Sequence, residues 1–251
     1  MRYTPYETAY AVQMSPEKRI DSVFHRPQRR PRVEPSLSLD RIVSATVALL
    51  DREGAAALTM RRVAAELGVH ATSLYWYVER REDLIDLAVD EVLAAAGDLV
   101  GPEEPWDYAV TRTARQFYDA LTTHPWAAQF AGSRTLVGPN ALALSRRIIA
   151  ALRDAGGTDE DQAIAVTAIS NQILGAATTA VAIRALGLES PSKRTDDIAA
   201  AVGAPEALAV WRPYFDEVLA LLVDGIRTRL TSARTEGPSS SHDTTPTDLE
   251  L

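Results

Sequence analysis

The stretch from Thr59 to Tyr77, T-M-R-R-V-A-A-E-L-G-V-H-A-T-S-L-Y-W-Y, is the feature that most constrains what this chain can fold into. The Thr59 hydroxyl can cap a helix, and four apolar side chains follow it at helical spacing: Met60, Val63, Ala64 and Leu67. Gly68 ends this short amphipathic helix, and a second helix begins near His70 or Ala71. The pattern therefore predicts two helices joined by a glycine-containing turn.

The second helix has two different faces. Leu74 and Val78 are four residues apart and point into the same small core. The other face carries hydroxyls and aromatic rings and no acidic side chain: Thr72, Ser73, Tyr75, Trp76 and Tyr77. Such a surface suits the edge of a base pair, although an aromatic run at helical spacing is also typical of a core.

Helix, turn and helix form the DNA-binding motif whose second helix lies in the major groove. The sequence resembles the DNA-binding domain of the TetR family of bacterial transcriptional regulators in three segments: Ser38 to Gly54, Leu58 to Val69, and Ser73 to Val78 followed by R-E-D-L at 81–84. The resemblance implies a homodimer on a palindromic operator in double-stranded DNA, released by a small-molecule effector. It also implies that a helix from Arg81 or Glu82 to about Ala96 links this unit to the body.

The second helix lacks Arg, Lys, Asn and Gln, the side chains that usually form paired hydrogen bonds with bases. We therefore expect much of the binding strength to come from cations outside it. The predicted DNA contacts are Thr59, Arg61, Thr72, Ser73, Tyr75, Trp76, Tyr77, Arg80 and Arg81, together with four arginines nearer the N-terminus, Arg26, Arg29, Arg30 and Arg32.

Those four arginines belong to residues 1–36, which contain four prolines after position 14 and which we expect to be disordered when free. They can form an arm in the adjacent minor groove or a solvated charged tail. The net charge of the chain is −8, yet residues 1–81 hold 13 Lys+Arg against 9 Asp+Glu and the rest hold 13 against 25. The basic groups are thus concentrated where DNA is expected.

The body is predicted to be all-α, with helices at 106–123, 125–131, 139–155, 159–187 and 206–231. The chain contains no cysteine, and its four histidines are scattered, so we expect no metal site, no cofactor and no enzymatic activity. The N-terminus has no charged segment before an apolar core, which indicates the cytoplasm. Residues 162–183 carry no charge, but the polar side chains within them and the acidic start at 159–161 favour a buried helix over a membrane span.

H-P-W-A-A at 124–128, G-P-N-A-L-A-L at 138–144 and I-L-G-A-A at 173–177 resemble the tetracycline-repressor type of C-terminal domain. That resemblance implies a dimer interface between small residues of the predicted helix 159–187 and an apolar face of the last helix, namely Gly175, Ala176, Ala177 and Ala180 with Phe215, Leu219, Leu222, Ile226 and Leu230. Alternatively, both faces pack within one subunit.

The same resemblance implies a ligand pocket. Its walls would be Phe117, Trp126, Phe130 and Ile173, and its polar groups Thr113, Arg134, Asn171 and Gln172, although each of these could be plain core. The metal-chelating histidine of tetracycline-binding members falls at Phe130 or Ala131 here, and two further ligand-holding groups fall near Asn171 and Thr179. We therefore expect a flat aromatic or polyketide-like effector and no magnesium-tetracycline complex.

The predicted organisation is a basic arm at 1–36, a helix-turn-helix domain at 37–84, a ligand-binding and dimerisation domain at 85–232 and a disordered tail at 233–251. The predicted function is repression of an efflux or biosynthetic gene. Two alternatives remain: an activator of the same fold, and an all-helical enzyme or sensor with a vestigial helix-turn-helix.

Overall fold

The structure, a computed structural model, describes residues 22–26, 37–94, 104–187 and 214–235. Within these ranges every regular element is helical, which confirms the predicted fold class. The helices are α1 (Leu39–Glu53), a 3₁₀ turn (Ala55–Ala57), α2 (Met60–Leu67), α3 (Ala71–Leu74), α4 (Arg81–Ala94), α5 (Trp106–Thr123), α6 (Pro125–Ala131), α7 (Pro139–Asp154), α8 (Asp159–Ala185) and α9 (Phe215–Thr235).

Short-range hydrogen bonds determine where the first two helices begin and end. The Ser38 hydroxyl accepts the N–H of Arg41 at 3.2 Å, and the Thr59 hydroxyl accepts the N–H of Arg62 at 3.2 Å. Gly54 ends α1 with φ of 75°, and Gly68 ends α2 with φ of 68°. Both are backbone conformations that glycine adopts at little cost.

The second helix of the motif is shorter than its periodicity predicts. Helix α3 ends at Leu74, and residues 75–77 form a turn. The N–H of Tyr77 and the N–H of Val78 both donate to the Leu74 carbonyl, at 2.9 and 3.0 Å. Because the first of these is an i to i+3 bond, the chain tightens after Leu74 but still delivers Val78 to the core, where it is buried.

Helix α4 joins the DNA-binding unit to the body. It packs against α1 on the DNA-binding side and against α6 and α7 on the body side. The residues that fill the core beneath α1 to α4 are all fully buried: Ile42, Leu49, Leu50, Leu58, Val63, Leu74 and Leu84. A shift of α4 would therefore be transmitted to α1 and to the recognition segment.

Helix α8 is the central helix of the body. Thr158 and Asp161 form a capping box at its N-terminus, and Ile169, Ile173 and Ala177 are buried along it. By length and composition it could cross a bilayer, as could many core helices of soluble proteins. Here it packs against α5, α6, α7 and α9, as expected for a helix at the centre of a bundle.

The apolar face of helix α9, which the sequence predicted to form a dimer interface, is largely buried within the chain. Residues 206–213 of the predicted last helix lie outside the described residues, and the helix runs on to Thr235. Phe215 stacks on Tyr118 with ring centroids 4.1 Å apart, and Leu219, Ile226 and Leu230 are also buried within the chain. Leu222 is half-buried, so most of the predicted α9 face packs within the chain, which is the alternative that the sequence left open. The dimer interface stays a prediction.

Candidate DNA-binding surface and ligand-binding core

The turn after α3 displays two adjacent aromatic side chains. Tyr75 is 48% exposed and Trp76 is 52% exposed, so neither belongs to the core. Thr72 is exposed and Ser73 is half-buried on the same segment. This exposed aromatic pair is the candidate interaction surface of the helix-turn-helix.

Tyr77 does not share that surface. Its hydroxyl donates to the Leu37 carbonyl at 2.6 Å, and its ring is half-buried against the core. The bond ties the recognition turn to the residues that precede α1. We therefore correct the predicted base contact at Tyr77 to a structural role.

The predicted cations outside the motif divide into two groups. Arg61 is exposed on α2, and Arg80 is 45% exposed while its Nε lies 3.3 Å from Asp83 Oδ1. In contrast, Arg81 donates from Nε to the Leu58 carbonyl at 2.9 Å and from Nη2 to the Ala55 carbonyl at 3.0 Å. Arg81 therefore holds the 3₁₀ turn, and its predicted phosphate contact is corrected to a structural role.

Arg26 is also held by the protein. Its Nη1 lies 2.9 Å from Asp83 Oδ2 and 3.1 Å from Glu79 Oε2, while its Nη2 lies 2.5 Å from Asp83 Oδ1. Arg26 therefore contacts carboxylates of the helix-turn-helix, whereas the sequence predicted that it contacts DNA. Arg29, Arg30 and Arg32 lie outside the described residues.

Asp83 is the most enclosed charged group of this unit, with 0% of its surface exposed. Burial by itself raises the pKa of a carboxyl, but the Arg26 guanidinium and the N–H groups of Glu79 and Arg80 outweigh burial and hold the pKa of Asp83 below its ordinary value. Asp83 thus remains ionised at neutral pH.

The predicted ligand residues are only partly brought together. Phe117, Trp126 and Ile173 are buried, and Phe130 is half-buried against the same core. Thr113 lies one turn before Phe117 on α5, is 1% exposed, and has a hydroxyl without a hydrogen-bond partner. A buried hydroxyl without a partner is costly, so this atom is a candidate for a hydrogen bond to a ligand, as is the buried Oε1 of Gln162.

Three other ligand predictions do not point into that core. Arg134 donates from Nε to Asp86 Oδ1 on α4 at 2.5 Å, and this bond raises the pKa of Arg134. Asn171 is exposed and Gln172 is half-buried on α8. In the single chain Arg134 is therefore bound to α4 and Asn171 faces solvent, and their role as ligand contacts stays a prediction.

A cavity of about 600 Å³ lies elsewhere, between the DNA-binding unit and the body. Its walls are residues 23–26, the first part of α1, the recognition turn at 75–79, one face of α4, and the start of α7 with Val137 just before it. None of the predicted ligand residues lines it. No local pattern reveals this cavity, because its walls come from five segments that are separate in sequence.

Three carboxylates, one on α1 and two on the connecting helix α4, bind groups of α6, α7 and the residues beside them, and the sequence analysis predicted none of these contacts. Asp51 Oδ1 accepts from Trp126 Nε1 at 2.6 Å and lies 2.7 Å from His124 Nδ1. Asp86 binds Arg134, as described above. Asp90 accepts the N–H groups of Asn140 and Ala141 at 3.1 and 2.9 Å and so caps α7.

The partners of these carboxylates are 48 to 75 residues away in sequence, which is why no local pattern reveals them. Burial raises the pKa of Asp90, even though the N–H groups of Ala141 and Asn140 act in the opposite direction. Among the described residues, no group of three or more His, Cys, Asp or Glu side chains is arranged to hold a metal ion.

Two family models match the chain. The model described as "Bacterial regulatory proteins, tetR family" matches residues 42–88, and the model described as "Tetracyclin repressor-like, C-terminal domain" matches residues 101–230. Together they cover the helix-turn-helix and the helical body.

Curated relatives agree with the family models. An HTH-type transcriptional regulator of Saccharopolyspora erythraea is 36% identical over 228 residues, covering 87% of this chain and 97% of that protein. The HTH-type transcriptional repressor DrrR1 of Streptomyces coeruleorubidus is 38% identical over 155 residues, covering 61% of this chain and 56% of that protein.

Solved structures share the fold. ActR of Streptomyces coelicolor in complex with (S)-DNPA superposes with a TM-score of 0.62 at 27% identity, covering 77% of this chain and 98% of that chain. BioQ with its double-stranded DNA operator superposes with a TM-score of 0.57 at 25% identity, covering 76% of this chain and 99% of that chain. One of these neighbours thus carries a small molecule and the other carries DNA.

Proposed function

Because the chain belongs to the TetR family of bacterial transcriptional regulators, we propose that it is a ligand-responsive repressor that binds a palindromic operator as a homodimer. The exposed pair Tyr75 and Trp76, beside a capped helix-turn-helix, is the observation that carries the proposal. The family and its relatives are transcriptional regulators and not enzymes, and the site of action is the cytoplasm, where the operator lies.

The recognition segment reads the operator through hydroxyls and aromatic rings. Thr72 and Ser73 reach base edges, and Tyr75 and Trp76 pack on thymine methyls and sugars. Arg61 and the basic residues near the N-terminus supply phosphate contacts, which carry no sequence information but much of the affinity.

The dimer uses the outer face of α8 and α9. On α9 the exposed residues recur at spacings of three and four, as in a packed helix pair: Val218, Leu221, Gly225 and Thr228. On α8 the exposed residues of the same spacing are Ile164, Thr167, Asn171 and Gly175. Since the two helices pack against each other, two copies can form a four-helix interface. Binding to half-sites one helical turn apart then requires the two recognition segments to lie about 34 to 36 Å apart.

The effector binds in the core of the body beside Thr113 and Phe117. The unpartnered Thr113 hydroxyl provides one hydrogen bond, and Phe117 and Ile173 provide apolar walls, which suit a flat aromatic or polyketide-like molecule. In a thermal-shift screen, stabilisation by magnesium-tetracycline but not by the metal-free drug would overturn this effector class.

Ligand occupancy reaches the DNA through α6. Trp126 lies in the predicted pocket wall and donates to Asp51 on α1, so a ligand that displaces the indole also displaces the carboxylate. The effector can release DNA only to the extent that it prefers the displaced conformation.

The direct test is fluorescence anisotropy with the intergenic DNA upstream of the gene, at several salt concentrations, for wild type, Trp76→Ala and Tyr108→Ala. Tyr108 is an exposed aromatic residue of the body, at 59%, and is the matched control. We expect Trp76→Ala to weaken specific binding at least tenfold and Tyr108→Ala to leave it unchanged. Equal affinity of wild type for operator and scrambled DNA would refute the proposal.

Repression is distinguished from activation by transcript measurement. DrrR1 is named a repressor, which supports repression by this chain. Deleting the gene should raise the transcript of the adjacent target, and a fall in that transcript would show activation instead.

A further inference from the structure

Residues 22–26 lie against the helix-turn-helix, with Ser22 buried and Arg26 bound to two carboxylates. Arg26 places both terminal nitrogens on the carboxylate of Asp83, 57 residues away, at 2.9 and 2.5 Å. This two-pronged geometry is the strongest that an arginine and a carboxylate can form. Only 21% of the Arg26 side chain is exposed, so it is largely withdrawn from solvent.

Asp83 also organises the C-terminal end of the recognition turn. Its Oδ2 accepts the N–H of Glu79 at 2.8 Å and the N–H of Arg80 at 3.2 Å. One buried carboxylate therefore links the N-terminal segment to the residues that directly follow Trp76 and Tyr77. Arg26 in turn provides positive charge against Asp83 and Glu79, the two carboxylates at this edge of the DNA-facing surface.

The segment lies beside the recognition turn and not on the far side of the domain. Residues 23–26 and residues 75–79 line the same cavity. The basic residues Arg29, Arg30 and Arg32 follow Arg26 by three, four and six positions. The length of a peptide chain therefore limits them to within about 20 Å of the Arg26 anchor.

We propose that Arg26 is a positioning residue for DNA binding, whose grip on buried Asp83 fastens the N-terminal segment beside the recognition turn so that the arginines after it reach the operator backbone. This inference rests on the proposed operator binding and gives Arg26 a role that differs from a phosphate contact. Without the anchor, the following arginines lose their fixed starting point, and docking them on DNA costs more conformational entropy.

The experiment measures the affinity of the full chain for operator DNA as a function of salt, for wild type, Arg26→Ala, Arg26→Lys, the triple change Arg29→Ala, Arg30→Ala, Arg32→Ala, and the combined quadruple change. Arg52→Ala is the matched control, because Arg52 also binds two carboxylates of the helix-turn-helix, Glu53 and Glu66. Melting temperatures are recorded for every variant.

We expect Arg26→Ala and the triple change each to weaken binding at least tenfold and to lower the slope of log affinity against log salt by up to about three. The quadruple variant should bind DNA with an affinity within about twofold of that of the triple variant, since both sets of changes act through the same contacts. Arg26→Lys keeps one charge but not the fork, so it should recover part of the affinity and slope. Arg52→Ala should change neither.

Two results would overturn the inference while leaving operator binding intact. One is an Arg26→Ala protein with a lower melting temperature and an unchanged salt slope, which would mean a purely structural role. The other is full additivity of Arg26→Ala with the triple change, which would mean independent contributions. Failure of wild type to bind operator DNA would instead refute the proposed function, so the two failures are distinguishable.

Discussion

Replacing Asp90 with alanine should lower the melting temperature of the protein by about 6 °C. Asp90 is buried and accepts the N–H groups of Asn140 and Ala141 at the start of α7, as well as the side-chain amide of Asn140 at 3.1 Å. Loss of a helix cap costs about 1 kcal/mol, and leaving a further buried donor unpaired costs about 1 kcal/mol more. A total of about 2 kcal/mol corresponds to roughly 4 to 8 °C in a domain of this size.

The assay is thermal unfolding followed by circular dichroism, with Glu91→Ala as the matched control. Glu91 is the next residue on α4 and is exposed, so its replacement should move the melting temperature by less than about 1 °C. An Asp90→Ala protein that melts within about 1 °C of wild type would show that water replaces the lost acceptor and that the α4–α7 junction does not depend on this carboxylate.

The effect of Asp90 should also depend on pH. Burial raises the pKa of Asp90 in the folded protein above its unfolded value, so the folded protein holds this proton more tightly. The contribution of Asp90 to stability is then fully present below the unfolded pKa and is reduced as the pH rises through the folded pKa. The difference in melting temperature between wild type and Asp90→Ala should therefore be larger at a pH below about 4 than at neutral pH.

Two further predictions concern the dimer and the ligand core. Leu221 is 71% exposed in the single chain and lies in the proposed α9 interface, so Leu221→Arg places a charge there. Sedimentation at micromolar concentration should then show a monomer in place of the dimer. The control is Leu186→Arg, at a 50% exposed leucine elsewhere, which should leave the dimer intact. A dimer that survives Leu221→Arg would reject this interface. Thr113→Val removes a buried hydroxyl that has no hydrogen-bond partner, so it should leave the free energy of unfolding unchanged or raise it by about 1 kcal/mol. It should also weaken effector binding. The control is Thr46→Val, which removes a hydroxyl that donates to the Ile42 carbonyl at 2.7 Å and so should not stabilise the protein. Greater stabilisation by Thr46→Val than by Thr113→Val would contradict that assignment.

The DNA-binding motif could be predicted from local patterns because its signals act over a few residues. Caps at Ser38 and Thr59, glycine at positions 54 and 68, and apolar residues at helical spacing determine where α1 and α2 begin and end. The same rules failed at α3, since periodicity through Val78 does not reveal that the chain tightens after Leu74.

Apolar periodicity identified the buried face of α9 but not its partner. A stripe that includes Phe215, Leu219 and Leu230 shows only that one side of the helix avoids water, whether the cover comes from the same chain or from a second copy. The structure shows that α8 and α5 cover it and that the opposite face, with Val218 and Leu221, is exposed.

The sequence by itself determined the fold class, the family and the position of the exposed aromatic pair, since these depend on local spacing and on a recognisable motif. Only the tertiary structure decided what individual polar side chains do. Tyr77, Arg26 and Arg81 resemble DNA contacts in the sequence, yet each hydrogen-bonds a partner within the protein, between 23 and 57 residues away. A charged or hydroxylated side chain carries no local sign of whether its partner will be a phosphate or a buried carboxylate, because that partner is brought to it only when distant helices pack together.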